Sequence, residues 1–331
     1  MSAKDELLGP VLRDVSRSFY LTLRVLPREV RPQIALAYLL ARTADTIADT
    51  ELVPPDDRVE KLRQFRERVR YEDALPVEFD ELLDQQDNPS ERVLLERCHE
   101  SLELLNDLSP TDRGQVLFVL ETITRGQELD LRRFGDGSEL QTLQTSRELE
   151  DYTYRVAGCV GEFWTRITRT HCFPDADLDE DTFLSDAARF GKGLQLVNVL
   201  RDIPRDLRNG RCYLPADALE KAGLQSADLL EPDTWPRLEP VFKSWLERAR
   251  AHLTAGWRYT NTIPFNQYRL RLACAWPVLL GNRTLDKLQA ANPLLPTPRI
   301  KVTRSEVRGI IVRSTLRLPF RRAWRKLFTA A

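Results

Sequence analysis

Residues 32–49 read PQIALAYLLARTADTIAD and residues 191–206 read GKGLQLVNVLRDIPRD, and these two stretches decide the fold. Each stretch carries two aspartates four residues apart, namely Asp45 with Asp49 and Asp202 with Asp206. This spacing puts both carboxylates of a pair on one face of a helix, where like charges destabilise an isolated helix by about 0.2–0.5 kcal/mol. A cation is therefore expected between the pairs. Magnesium fits best, because it binds oxygen ligands and is commonly shared between carboxylates and substrate phosphates.

Other polar side chains continue the aspartate face in both stretches. Tyr38 and Arg42 precede the first pair, and Gln195 and Asn198 precede the second, all at helical spacing. The remaining faces are apolar, whereas a surface helix carries an apolar stripe on a polar body. The pattern predicts two interior helices whose polar stripes line a cavity. The alternative is that the aspartates are solvated and pair with neighbouring arginines, and the repetition of the pattern favours a binding site.

Most of the remaining sequence also has helical periodicity. Long amphipathic runs predict helices over residues 57–70, 91–108, 112–133, 147–168, 181–200 and 235–258. Pro204 predicts a kink or a helix end near Asp206, because proline cannot donate to the preceding turn. The expected fold is one all-α domain over residues 1–331, a helical bundle with the motif helices at its centre and a central cavity.

Composition restricts the class of protein. A chain of 331 residues with 42% hydrophobic and 30% charged residues indicates a soluble globular protein with an ample core. The five cysteines form no paired framework, which favours reduced thiols and a cytoplasmic location. The three histidines have no zinc-ligand spacing. We expect neither secretion nor a membrane span, since the sequence shows no signal-like start and no run of about 18 apolar residues. No nucleic-acid partner is expected.

Further motifs occur in a fixed order along the chain. They are Ser16-Arg17-Ser18-Phe19, the stretch Tyr152-Thr153-Tyr154-Arg155-Val156-Ala157-Gly158-Cys159-Val160-Gly161-Glu162, and Gly210-Arg211-Cys212-Tyr213-Leu214-Pro215. With the two aspartate stretches, these motifs make the chain resemble the squalene and phytoene synthases, the head-to-head prenyl-diphosphate synthases. The resemblance covers most of the chain. It implies the isoprenoid-synthase helical bundle, prenyltransferase activity of the farnesyl-diphosphate farnesyltransferase type, and Mg²⁺ bound with prenyl diphosphate substrates.

The resemblance also implies roles for individual residues. The metal ligands would be Asp45, Asp49, Asn198, Asp202 and Asp206, and Tyr152 would lie near the reacting carbons. The diphosphate ligands would be Ser18, Arg42, Arg201 and Arg211. The other substrate-binding positions would be Phe19, Tyr38, Val156, Val160, Gln195 and Asn198, with the two valines lining the dry pocket that carbocation chemistry needs. Core packing is the alternative for one of Tyr152 and Tyr154. Arg205 stands where many members carry an acid, which leaves the number of magnesium ions open.

Squalene synthase is the first expectation for the product. By resemblance, two farnesyl diphosphates would condense to presqualene diphosphate, which NADPH would reduce to squalene. No dinucleotide-binding fingerprint is present, and the candidates for a nicotinamide site are Asn282, Lys301 and Arg304. The alternatives are a dehydrosqualene, phytoene or presqualene diphosphate synthase, and, ranked lower, a non-catalytic assembly factor related to the family. Prenyl chain length and oligomeric state stay open.

Residues 307–328 form a basic tail in which arginines alternate with apolar side chains. Such a segment can lie on an anionic membrane surface, where each basic residue contributes about 1 kcal/mol. This reading predicts a peripheral protein of the cytoplasmic membrane face. The alternative is a final helix packed on the domain with a solvated basic face.

Overall fold

The computed structural model describes residues 3–16, 19–135, 137–295 and 300–329. These residues are predominantly helical, and their strand content is one pair of two-residue strands, which confirms the all-α prediction. They group into two compact units. Unit 1 comprises Met1–Asp136 and Phe163–Pro174, and unit 2 comprises Gly137–Glu162 and Asp175–Ala331. The single-domain organisation stays a prediction.

The described residues contain seventeen α-helices, of which nine lie before position 136. These nine are α1 (Ala3–Glu6), α2 (Leu12–Ser16), α3 (Phe19–Val25), α4 (Arg31–Asp49), α5 (Pro55–Arg70), α6 (Asp80–Asp84), α7 (Pro89–Glu96), α8 (Cys98–Glu103) and α9 (Pro110–Phe134). A π-helical segment, Leu7–Val11, precedes α2, and a 3₁₀ segment, Leu104–Asp107, follows α8. The prediction of one helix over residues 91–108 is wrong, because this stretch is divided among α7, α8 and the 3₁₀ segment.

Helix α4 has the interior character that its sequence predicts. Its apolar residues are buried, among them Leu39, Leu40 and Ile47 at 0% exposure. The buried Thr43 hydroxyl donates to the carbonyl of Leu39, so its polar group is satisfied within the helix. Apart from the first turn and Ala41, the residues that keep solvent access are the predicted stripe, Tyr38, Arg42, Asp45 and Asp49.

Eight further α-helices follow. They are α10 (Ser146–Thr153), α11 (Cys159–Cys172), α12 (Glu180–Arg208), α13 (Ala216–Glu220), α14 (Trp235–Thr262), α15 (Tyr268–Gln289), α16 (Arg304–Arg317) and α17 (Arg321–Arg325). A π-helical segment, Tyr154–Gly158, joins α10 to α11. The continuous helix predicted over 147–168 is therefore interrupted. Helix α12 runs through Pro204 and ends at Arg208, two residues beyond Asp206.

Helix α12 packs unusually closely on the segment that precedes it. A Cβ atom placed on Gly191 would lie 2.0 Å from the carbonyl oxygen of Ala157, and one on Gly161 would lie 2.0 Å from that of Ala187. Each glycine therefore lies directly against the backbone of the other segment. The two contacts fix the depth at which α12 sits against the Tyr154–Gly158 segment.

The strands β1 (Gln141–Thr142) and β2 (Arg211–Cys212) form a parallel pair in unit 2. The turn into β2 requires Gly210, which has a φ of 71° and whose Cβ would lie 2.6 Å from the carbonyl oxygen of Gly137. A left-handed backbone so close to another chain segment leaves room for glycine only. This pairing holds the residues after α12 in place.

The basic tail packs on unit 2. Trp324 is 1% exposed and stacks on Trp257, with ring centroids 5.4 Å apart. Ile310, Leu318 and Leu327 are also buried. This arrangement corresponds to the packed-helix alternative, although Phe320 remains 65% exposed. Within the part of the chain that the structure describes, no helix combines the length and the apolar character needed to cross a membrane.

Candidate active site

One candidate site lies in unit 1 around Asp45. Gln127, on α9, donates from Nε2 to Asp45 Oδ1 at 2.6 Å, and Arg42 Nη1 lies 3.5 Å from Asp45 Oδ2. Burial of the carboxyl group, and then the Asp49 carboxylate, raise the pKa of Asp45 to about 7. The Asp45 side chain nevertheless keeps 45% of its surface accessible. We attribute this combination to a concave site, where nearby protein atoms displace bulk water but a small cation can still reach the carboxylate.

A divalent cation fits this environment. The two carboxylates of α4 lie one helical turn apart, and each disfavours ionisation of the other. A bound cation would reverse that preference, because it attracts both negative charges. Oxygen is also the donor that Mg²⁺ prefers. The donor chemistry at Asp45 and Asp49 therefore suits the predicted metal.

Arg42 is held by acidic partners on two sides. Besides its contact with Asp45, it pairs through Nη2 with the nearly buried Glu91. Asn88 donates from Nδ2 to the same Glu91 oxygen at 3.2 Å and caps the start of α7. Burial acts against the charged guanidinium, but Asp45, Glu91 and Asp49 together raise the pKa of Arg42. Arg42 is thus a fixed cation beside the aspartate pair.

Aromatic stacking orders another part of unit 1. Phe19 and Tyr38, both predicted to bind substrate, stack with ring centroids 4.8 Å apart. Tyr38 belongs to the accessible stripe of α4, so this stack lies on the same helix face as Arg42. Ser18, the predicted diphosphate ligand just before Phe19, lies outside the described residues.

A separate candidate site lies on α12 in unit 2. Arg201 donates from Nε and Nη2 to the two carboxylate oxygens of Asp202, at 2.9 and 2.7 Å. This bidentate pair is mostly buried, with side-chain exposures of 22% and 15%. Asp206 follows one turn later and is half-buried, whereas Arg205 is exposed. An arginine therefore accompanies the first aspartate of this pair too.

A chain of hydrogen bonds runs from α12 to Tyr152. Asn198 donates from Nδ2 to Gln195 Oε1 at 3.2 Å, and Gln195 donates from Nε2 to the Tyr152 hydroxyl at 3.3 Å. The Tyr152 ring stacks on Tyr213, with centroids 4.7 Å apart. Because the Asn198 side-chain nitrogen donates to Gln195, its side-chain oxygen Oδ1 is the atom that could bind a cation. The structure thus brings together three of the predicted residues.

Tyr154 has a different environment. Its hydroxyl donates to Glu162 at 3.2 Å, and its ring lies beside Gly158. This environment fits the packing role that was open for one of the two tyrosines. Of the predicted pocket-lining valines, Val156 is half-buried and Val160 is 36% exposed. Arg211 is half-buried in β2.

Some residues of this region were absent from the sequence predictions. Glu91 and Gln127 orient Arg42 and Asp45, as described above. In unit 2, Glu150 pairs with Lys192 and with Arg248, and His252 Nε2 lies 3.7 Å from it. Burial of Glu150 acts against ionisation, but the nearby His252, the contact with Lys192 and the charge of Arg248 lower its pKa to about 2. Glu150 thereby joins α10, α12 and α14.

The three residues predicted for a nicotinamide site have other contacts. Asn282 is buried, accepts from Arg250 Nη1 at 2.7 Å and donates to the carbonyl of Phe328 at 3.1 Å. Lys301 and Arg304 are exposed, and the carbonyl of Lys301 accepts from Lys287. Both polar atoms of the Asn282 amide are therefore engaged within the protein. The residues do not form a recognisable nicotinamide site, and the assignment stays a prediction without support from contacts.

Among the described residues, no three His, Cys, Asp or Glu side chains form a ready-made metal cluster.

Comparison with known proteins identifies relatives over most of the chain. The family model described as squalene/phytoene synthase matches residues 12–306. A presqualene diphosphate synthase of Rhodopseudomonas palustris is 32% identical over 249 residues, which are 75% of each chain. A squalene synthase of Schizosaccharomyces pombe is 25% identical over 301 residues, which cover 90% of this chain and 62% of the relative.

Another relative is much longer. A bifunctional lycopene cyclase/phytoene synthase of Neurospora crassa is 31% identical over 250 residues, covering 72% of this chain. The chain spans about 40% of the length of that relative.

Two solved structures show the same fold. A structure described as TcSQS with a ligand gives a TM-score of 0.79 at 21% identity, covering 99% of this chain and 91% of that one. A dehydrosqualene synthase with a ligand gives 0.68 at 20% identity, covering 96% and 98%. At these identities the likeness concerns the fold alone.

Proposed function

The chain belongs to the squalene/phytoene synthase family, and from this premise we propose that it joins two farnesyl diphosphates head to head and forms squalene. The observation that carries the proposal is a repeated arrangement. Each of two helices carries a pair of aspartates one turn apart, with an arginine in contact with the first of them. Two such acid–base pairs suit an enzyme that handles two diphosphate groups.

Magnesium held by the aspartates and Asn198 would stabilise the negative charge of the leaving diphosphate. The chain's own residues supply the rest of the binding. Arg42 and Arg201 would donate to diphosphate oxygens, because guanidinium groups bind phosphate through paired N–H groups. In the structure Arg201 is bonded to Asp202, so in the proposed complex each would exchange this partner for a substrate or metal partner.

Asp45 would change protonation state when a cation binds. Its pKa of about 7 means that a substantial fraction of the molecules carries a proton there at neutral pH. Binding would release this proton, since a carboxylate binds metal in its ionised form. Gln127, which donates to Asp45 at 2.6 Å, then stabilises the ionised carboxylate.

Tyr152 is the residue we place beside the reacting carbons. Its hydroxyl accepts a hydrogen bond from Gln195 on α12, which positions the ring beside that helix. Its ring and that of Tyr213 form a stacked pair whose π faces can stabilise a nearby positive charge. A carbocation would gain from such faces without being exposed to water.

We propose squalene rather than the other products because the squalene synthase relative aligns with a larger part of this chain. The squalene synthase of S. pombe aligns over 90% of this chain, whereas the presqualene diphosphate synthase aligns over 75%. The second candidate is a synthase that stops at presqualene diphosphate. It is favoured by the higher identity of 32% and by the engaged amide of Asn282. We derive no hydride-transfer step, because the residues predicted for nicotinamide binding do not form a site.

The proposal is tested with purified protein, farnesyl diphosphate and Mg²⁺, with and without NADPH, followed by analysis of extracted products. Squalene that appears only with NADPH supports the first candidate. Presqualene diphosphate under both conditions supports the second. Selective use of geranylgeranyl diphosphate to make phytoene would contradict both.

Variants connect the activity to the aspartates. We expect Asp45→Ala and Asp202→Ala to lose turnover while retaining helical circular dichroism, because removing one carboxylate relieves repulsion but removes a ligand. Asp181→Ala is the matched control, since Asp181 is an exposed aspartate in the first turn of the same helix α12. Near-normal turnover in Asp45→Ala or Asp202→Ala would contradict the magnesium assignment.

A further inference from the structure

Unit 2 contains a small cavity bordered by positive charge. Its volume is about 250 Å³, and it lies where the end of α14 meets α17. Three arginines line it, namely Arg271, Arg321 and Arg325. No Asp or Glu is among the described residues that line it. Helix α17 follows residue 306, so two of these arginines lie beyond the segment that the family model matches.

Arg271 forms the buried wall of this cavity. It is 6% exposed, and its Nη1 donates to the carbonyl oxygens of Asn261 and Ile263. Its Nη2 donates to Asn261 Oδ1 at 3.1 Å, while its Nε–H has no partner in the structure. A guanidinium has five N–H donors. Nε–H and one Nη2–H therefore remain, the adjacent pair with which arginine binds a phosphate or carboxylate in bidentate fashion.

The positive charge of the cavity is incompletely compensated. The Arg271 guanidinium carbon lies 5.6 Å from the ring centre of Phe265 and 5.4 Å from that of Trp324. Burial, followed by repulsion from Arg321 and Arg325, lowers the pKa of Arg271 to about 10. Aromatic faces offset part of this cost. An anion in the cavity would offset more, because it would attract all three cations.

We propose that this cavity binds a phosphate group, with Arg271 as its buried bidentate donor and Arg321 and Arg325 as its outer donors. The cavity is smaller than the roughly 300–1,000 Å³ of a drug-sized ligand pocket, so it would hold the anionic group and leave any attached chain outside. Phe265, which is 39% exposed, lines the same cavity as the arginines. Phe320 directly precedes Arg321 in the sequence. The phosphate could therefore be soluble or belong to a lipid headgroup.

Trp324 provides a local reporter of binding. Its indole Nε1 donates to Asn261 Oδ1, the same atom that accepts from Arg271. With ¹⁵N-labelled tryptophan, the chain gives six indole signals, and a Trp324→Phe variant assigns the relevant one. The Trp324 signal is then followed while inorganic phosphate is added to the full-length protein.

Paired variants make the experiment specific. Arg321→Gln with Arg325→Gln should weaken the phosphate response of Trp324 by about tenfold or more, as expected for charge-assisted hydrogen bonds. Arg313→Gln with Arg322→Gln removes the same number of charges from exposed positions of the same tail, outside the cavity lining. This control should bind phosphate within about twofold of the unchanged protein.

Vesicle co-sedimentation distinguishes the two sources of phosphate. Three vesicle preparations are compared: phosphatidylcholine alone, phosphatidylcholine with phosphatidic acid, and phosphatidylcholine with phosphatidylglycerol. The two anionic preparations carry the same surface charge. Preferential binding to phosphatidic acid that Arg321→Gln/Arg325→Gln abolishes and the control retains would identify a lipid headgroup site. A Trp324 response to inorganic phosphate without vesicle binding would identify a soluble ligand. If neither probe binds, or if the control variant weakens binding equally, the proposal is overturned.

Discussion

Gly191→Ala tests the close packing of α12. The added Cβ would lie 2.0 Å from the carbonyl oxygen of Ala157, and real Cβ atoms essentially never approach within 3.0 Å. Helix α12 and the Tyr154–Gly158 segment would therefore have to separate by about 1 Å, because the obstacle is backbone and cannot rotate away. Overpacking of this kind costs about 1–3 kcal/mol. Alanine regains about 0.8–1.0 kcal/mol of helix propensity, so we expect a net loss near 1 kcal/mol.

Gly114→Ala is the matched control for this variant. Gly114 also lies within a long helix, α9, but a Cβ there would meet nothing within 4 Å. The same substitution should stabilise the protein by about 0.5–1 kcal/mol through propensity alone. The two variants should therefore change stability in opposite directions and differ by roughly 2 kcal/mol.

Urea denaturation followed by circular dichroism measures the free energy of unfolding of both variants. Turnover of the folded protein adds a second measurement, since α12 carries Gln195, Asn198 and Asp202. A displacement of about 1 Å near reacting groups can lower turnover by about 100-fold, whereas Gly114→Ala should leave turnover unchanged. Equal stability of Gly191→Ala and the unchanged protein would refute the packing argument.

Other predictions concern charge and the tail. Mg²⁺ should bind roughly tenfold more weakly at about pH 6 than at about pH 8, because Asp45, with a pKa of about 7, must lose its proton before it binds the metal. Calorimetric titration at several pH values measures the Mg²⁺ affinity. Glu150→Gln should cost about 3 kcal/mol at neutral pH, because it leaves the mostly buried Lys192 and the half-exposed Arg248 without their carboxylate. The pKa of Glu150 falls from about 4.3 in the unfolded chain to about 2 in the folded protein. The stabilisation that Glu150 provides is therefore present above about pH 4.3 and lost towards pH 2. Near pH 2 the urea midpoints of the variant and the unchanged protein should converge. Trp324→Ala should lower stability by about 3–5 kcal/mol, whereas exposed Phe320→Ala should change it by less than about 0.5 kcal/mol, both measured by urea denaturation.

The interior helices were predictable because their pattern is periodic. In α4 the polar residues recur at helical spacing among apolar ones, and the same residues keep solvent access in the structure. Helix 112–133 was predicted within two residues of α9 at each end. Periodicity reports which face of a long helix is buried, and these helices are long enough for the signal to dominate.

Interruptions of helices were not predictable from the same signal. Residues 91–108 are apolar at helical spacing throughout, but α7 ends before Arg97, whose side chain pairs with Glu6 and Glu100. The contact with Glu6 joins segments about 90 residues apart, which no local pattern contains. Likewise, a π-helical turn retains apolar residues on nearly the same face, so the 3.6-residue period does not reveal it.

The partners of the site residues were missed for a related reason. Gln127 lies on α9 and Glu91 on α7, so their contacts with Asp45 and Arg42 depend on how helices pack in unit 1. The basic tail illustrates the same limit, because an amphipathic pattern is common to a membrane-surface helix and to a packed one. The stacking of Trp324 on Trp257 joins residues 67 positions apart, and no local pattern contains that contact.

The β1–β2 pair has a consequence for the order of folding. Gln141 pairs with Arg211, about 70 residues later, and such distant pairings form slowly because chain entropy is lost before contacts are gained. Tyr213 follows β2 directly and supplies the ring on which Tyr152 stacks. At about 5–20 residues per second of synthesis, Tyr152 would wait roughly 3–12 s for this partner to be made. During translation, the aromatic surface around Tyr152 is therefore incomplete until both α11 and the whole of α12 have been synthesised.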